Sequence, residues 1–146
     1  MSEGRELRIC SDVSRIFMAR TLVKHYGEEA IDLLVDWKER KARERWAEIA
    51  QEQARTDPEY LFRLFSEDAH EFEVIHKERN LLEVKVTKCV HAEVFKQYNA
   101  TDLGYKLICR GDEAVVKGFN PRIKFTRPEV LMRGDSCCHF RFELTD

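Results

Sequence analysis

The sequence predicts an α+β fold in which N-terminal helices pack on a four-stranded, mostly antiparallel sheet, in the order α-α-(α)-β-β-α-α-β-β. Three observations carry this. Apolar residues recur at helical spacing through the first part of the chain. The period drops to two between Phe72 and Thr87, and again towards the C-terminus. Turn signals at Gly27, Thr56-Asp57-Pro58, Asn120-Pro121 and Gly134-Asp135 separate the runs. Over its 146 residues the chain has no linker, repeat or low-complexity tract, so one domain spans 1–146. Residues 1–68 form a helical scaffold, and 69–146 form the sheet and helices that carry a cysteine-rich stretch.

Taken in order, Ser11-Asp12 offers an N-cap for a helix bearing Val13, Ile16, Phe17 and Val23, which Gly27 ends. A second helix starts at Glu28-Glu29 and buries Ile31, Leu34, Val35, Trp46 and Ile49. Its other side carries the i,i+4 pairs Asp36–Arg40, Glu39–Arg43 and Arg40–Glu44, which mark a solvated face. Pro58 opens a short third helix through Tyr60, Leu61 and Leu64. Two strands meeting near Arg79-Asn80 form a hairpin in which Ile75 breaks the alternation. Val90 to Tyr98 is helical, Asn99 to Leu103 a loop, and Leu103 to Lys117 a helix that Gly118 stops. Strands over Arg122 to Arg127 and Ser136 to Leu144 complete the sheet.

Composition narrows the function. With 25 basic and 27 acidic residues the net charge is −2, which gives no reason to expect a nucleic acid or an anionic membrane as partner. The Lys38–Arg45 charge run is interrupted by glutamates and lacks interleaved aromatics for base stacking. No apolar run is long enough for a membrane span, and the N-terminus lacks a signal-peptide layout, so the expectation is a cytoplasmic protein with reduced thiols. There is no glycine-rich phosphate loop and no dinucleotide fingerprint. The expected partner is a small molecule.

Four of the five cysteines, Cys89, Cys109, Cys137 and Cys138, fall in the last third. Strand alternation puts Cys138 with Phe140 and Phe142 on the core side, and turns Cys137 to the polar side with His139 and Arg141. On a helix starting near Cys89, Glu93 lies at i+4; on the next, Asp112 and Glu113 lie at i+3 and i+4 from Cys109. Clustered thiols allow three outcomes: a nucleophile with Asp112, Glu93 or a histidine (His91 or His139) as base, a soft metal-binding set, or plain core packing. The spacing matches no zinc finger, and no cofactor is required. Asn120, in a constrained turn, can hold a polar ligand, and Arg127 is one of several arginines able to pair with a carboxylate.

The runs V-T-K-C-V-H-A-E-V-F, I-C-R-G-D-E-A-V-V-K-G-F-N-P and L-M-R-G-D-S-C-C-H-F-R-F resemble the L-2-amino-thiazoline-4-carboxylic acid hydrolase-like family over roughly 86–142. Where that pattern leads one to expect an acid after the last cysteine, this chain has His139. The resemblance implies a hydrolase that opens a C–N bond in a cyclic, isothiourea-like substrate carrying a carboxylate. It implies Cys109 or Cys138 as nucleophile, Asp112 as proton shuttle, and Cys89, Glu93, Asn120 and Arg127 as supporting or substrate-binding residues. The last block is also distantly similar to the 4-vinyl reductase small-molecule-binding domain, which implies a non-catalytic binding module as the alternative. Two zinc-ligand positions of that group fall near Arg127 and Val130, neither of which ligates zinc.

Overall fold

A computed structural model describes residues 1–145. Helix α1 (Glu3–Tyr26) is longer than expected, because Ser2 and not Ser11-Asp12 caps it: the Ser2 hydroxyl accepts from the Arg5 N–H. Asp12 is therefore an interior residue of the helix, and it is fully buried. Gly27, at φ +81°, ends α1 as expected, and α2 (Glu29–Gln51) follows. Pro58 opens a 3-10 segment (Pro58–Leu64) in place of a short α-helix.

The hairpin of β1 (His70–Glu78) and β2 (Leu81–Cys89) leads into α3 (Val90–Gln97). Ile75 is the unpaired residue of a β-bulge, between the pairs Val74–Val84 and His76–Glu83. Strands β3 (Lys124–Thr126) and β4 (Cys138–Glu143) complete a four-stranded antiparallel sheet of order β1-β2-β4-β3. The α+β class and the strand count are as the sequence predicts. The register pairs Leu82 with Phe142, Val84 with Phe140 and Val86 with Cys138, so one sheet face is continuously apolar. On the opposite face, the Glu83 carboxylate is paired with His139 at 2.8 Å and with Arg141 at 3.3 Å.

Between the two halves of the sheet the chain runs through α4 (Thr101–Gly104), a π-helical turn (Tyr105–Cys109) and α5 (Gly111–Phe119). The expected loop over 99–103 is thus partly helical, while Asn99, at φ +53°, makes the bend. The expected long helix exists but is widened by one residue at the π turn, where the Arg110 N–H reaches the Tyr105 carbonyl. Lys38 of α2 donates to the Leu107 carbonyl at 2.7 Å and so anchors this turn from outside.

Gly118 does not stop the helix. It lies inside α5, against the backbone of Arg43 in α2; a Cβ there would sit 2.3 Å from the Arg43 carbonyl oxygen. The glycine allows two helices to approach closely, and Phe119 beside it stacks on Tyr60 at 5.0 Å and meets Trp46 edge-on at 5.8 Å. Gly118→Ala is expected to push α2 from α5 and cost about 1–3 kcal/mol. The midpoint of urea unfolding measures this, and an unshifted midpoint would show that the contact can relax freely.

Candidate functional site

Eight parts of the chain wall one cavity of about 170 Å³. Arg8 comes from α1, and Phe65, Ala69 and His70 from the entry to β1. Val86 and Cys89 come from the end of β2, and His91 from the first turn of α3. Ile108 and Cys109 come from the π turn, Asp112 from α5, Arg127 from the end of β3, and Cys138 and Phe140 from β4. The Cys89, Cys109 and Cys138 thiols, expected to converge, line the same space. The π turn shifts the helical phase at Cys109, a distortion frequent at functional sites.

All three thiols are held neutral by burial. Burial pushes Cys109 up to about 12, with the Arg127 charge opposing the shift. Cys138 is pushed up to about 11 by the same cause, countered by the Leu131 N–H that donates to its Sγ at 3.2 Å. Burial also raises Cys89, where the Ala92 and His91 N–H groups at the start of α3 oppose the shift.

Asp112 and Arg127 form the charged pair of the cavity. Arg127 Nη1 donates to Asp112 Oδ2 at 2.5 Å, and Nη2 donates to the Cys109 carbonyl at 3.0 Å. One guanidinium thus fixes both the carboxylate and the turn that bears the thiol. Burial raises the Asp112 carboxyl and Arg127 opposes this; 29% of the Asp112 side chain stays exposed, so solvent tempers the shift.

A second carboxylate acts from behind the cavity wall. Asp12 Oδ2 lies 2.6 Å from His91 Nδ1, and Asp12 Oδ1 accepts from Arg15 Nη1 at 2.8 Å. An ionised carboxylate only accepts, so in the neutral tautomer with its proton on Nδ1 the His91 ring presents Nε2 as an acceptor. A carboxylate at Nδ1 fixes the orientation of the ring. His70, in the same wall, is pushed down to about 4, first by burial and then by positive charge on His91, when that ring is protonated, and on Arg8.

Of the residues expected in the site, Cys89, Cys109, Asp112, Arg127 and Cys138 line the cavity. Two do not. Glu93 points to the surface, 47% exposed, and pairs with Arg5 at 2.5 Å. The i+4 argument fails because Cys89 is the extended cap of α3, at φ −134°, and not a helical residue. The Asn120 amide donates to the Thr56 carbonyl at 2.9 Å, and its own carbonyl oxygen accepts from the Arg122 N–H. It ties two turns together. Cys137, expected on the polar surface, is buried; its cover is local, from neighbours such as Glu129 and Ser136, and it lies outside the cavity.

The sequence reading missed Arg8, Asp12 and His70. A signal existed for the first two: in a helix begun at Ser2, Asp12 falls between Ile9 and Ile16 on the inward stripe, with Arg8 one turn earlier. A charge on an apolar stripe is the feature to look for. Among the described residues, no three His, Cys, Asp or Glu side chains are grouped to hold a metal ion, so the thiols share a cavity without forming a ligand set. Among these residues too, no helix is long and apolar enough to cross a membrane.

The α+β scaffold thus encloses thiols, a carboxylate–guanidinium pair and a carboxylate-bound histidine around one cavity. The chain belongs to the L-2-amino-thiazoline-4-carboxylic acid hydrolase family, whose family model matches residues 6–142. The match takes in α1 and α2 as well as the cysteine-bearing stretch, so family membership extends well beyond 86–142. The family name supports a hydrolase-like function. No curated protein and no solved structure matches the chain significantly.

Two outcomes follow from the burial of these groups. Of the five cysteines only Cys10 is exposed, so a thiol reagent on the native protein is expected to modify one site rapidly and the others only after denaturation. Loss of the fast site in Cys10→Ser checks the assignment. His70 gives a pH dependence. Its folded value, about 4, lies below the ordinary 6.5, so the unfolded chain binds the proton more readily and stability falls as pH drops through that window. The loss is at most about 3 kcal/mol, lessened by the partial exposure of the ring. In urea titrations at about pH 7 and about pH 4, His70→Asn is expected to lose correspondingly less than the parent; equal losses would assign the acid sensitivity elsewhere.

Proposed function

We propose that the protein is a thiol-dependent hydrolase of a small cyclic amidine or isothiourea-like compound, opened at the carbon between ring nitrogen and sulfur. The observation that carries this is the shared cavity of Cys109, Cys138, Asp112 and His91, the last held by buried Asp12. Its volume of about 170 Å³ suits a single small ring.

In this reading the Cys109 thiol, or the neighbouring Cys138, adds to the amidine carbon. A thiol with a value near 12 or 11 does not rest as a thiolate at neutral pH, so attack needs a base that removes the proton as the bond forms. His91 Nε2 is the base, and Asp12 stabilises the imidazolium that results. The proton then passes to the departing ring heteroatom. Asp112, fixed by Arg127, pairs with the amidine nitrogens of the substrate and relays protons between them and the ring atom. Water attacks the resulting thioimidate, and the thiol leaves as it regains its proton. The aromatic and aliphatic walls at Phe65, Phe140 and Val86 strengthen each of these electrostatic contacts by excluding bulk water.

Cys109→Ser and Cys138→Ser, made singly, identify the nucleophile: one is expected to lower turnover of L-2-amino-thiazoline-4-carboxylate by a factor on the order of a thousand. Unchanged turnover in both would falsify a role for either thiol. Asp12→Asn, which preserves volume, is expected to lower kcat by roughly a hundredfold or more with KM little changed. A parent-like kcat in that variant removes His91 as the oriented base.

A further inference from the structure

We propose that Arg8 is the residue that receives the substrate's carboxylate, making the site selective for a small zwitterion over the same ring without an acid group. This deepens the hydrolase reading and rests on it for the identity of the ring.

The argument is one of elimination among the cations of the cavity. Arg127 spends its two Nη groups on Asp112 and on the Cys109 carbonyl. His91 is turned by its Nδ1 contact with Asp12. His70 Nδ1 receives the Ser66 N–H, and the ring is kept neutral by burial and by the charge of Arg8 itself. Arg8 and His70 both line the cavity wall. Arg8 Nε is buried and has no hydrogen-bond partner among the described residues. A buried donor left without an acceptor is costly and is the exception in folded proteins. The Arg127 Nε is buried and without a partner as well, so both arginines bring an unpartnered donor to the same lining. A carboxylate is the ligand group that accepts from a guanidinium in a fork and neutralises its charge. Asp112 supplies the opposite charge for the amidine end.

Binding of thiazolidine-4-carboxylate, a ring acid without an amidine carbon to attack, is measured by calorimetry for the parent, Arg8→Gln and Arg8→Lys. The expected result is a loss of roughly 10- to 100-fold in affinity for Arg8→Gln and a smaller loss for Arg8→Lys. In turnover, Arg8→Gln is expected to raise KM for L-2-amino-thiazoline-4-carboxylate and to erase the preference over 2-amino-2-thiazoline, which lacks the carboxylate. Arg8 has no fixed partner at its Nε, so the thermal midpoints of the variants should stay near that of the parent. If the parent opens L-2-amino-thiazoline-4-carboxylate while Arg8→Gln leaves its KM and the binding of thiazolidine-4-carboxylate unchanged, the assignment of Arg8 is overturned and the hydrolase reading stands. If no turnover occurs but binding still depends on Arg8, the carboxylate site stands and the hydrolase reading falls.

Discussion

The rest of the structure depends on a carboxylate with no solvent exposure. Asp12 projects from the middle of α1 and holds His91 at the start of α3, with Arg15 closing its other oxygen. An isolated charge at this depth would be costly, so the two elements bearing its partners must come together for the fold to form. That requirement docks α1 on α3 and places the last turn of β2, with Cys89, against the cavity. Lys38 reaches from α2 towards the same region and grips the π turn through the Leu107 carbonyl. Burial lowers Lys38 below its ordinary value, and the nearby Arg15 charge adds to the effect. The helices are therefore more than a cover for the sheet. They carry the polar groups that position the chemistry.

The cavity works by opposing burial with a few directed groups. Desolvation dominates at each thiol, and the Arg127 charge, the Leu131 N–H and the N–H groups of α3 return part of the lost stabilisation of the thiolate. Such thiols stay protonated at neutral pH and are poor nucleophiles at rest. The same logic governs Asp112, which is raised by burial and yet anchored by the guanidinium that also orders the π turn.

Much of the site was legible because it lies on short, regular spacings. Cys109 and Asp112 share a helical face at i+3, and strand alternation on β4 separates Cys138 from His139 and Arg141. Glu93 was misplaced because the same spacing rule was applied across a strand-to-helix junction, where Cys89 is extended. Asn120 was misread because its partner, Thr56, is 64 residues away. Gly118 looked like a helix stop because glycine serves that role often, whereas here it makes room for Arg43. The cap at Ser2 was overlooked in favour of Ser11-Asp12, and that single displacement hid both Arg8 and Asp12.

The sequence by itself determined the α+β class, the hairpin, the inward face of β4 and the i+3 spacing of Cys109 and Asp112, because each follows from backbone periodicity over a few residues. Only the tertiary structure decided that Asp12 orients His91, that Arg127 is committed to Asp112 and that Arg8 is left with an unpartnered nitrogen. Those facts concern which charges meet across 15 to 79 residues of chain. Local pattern carries no such information: desolvation and pairing of charge are set by packing, and packing is a property of the whole fold.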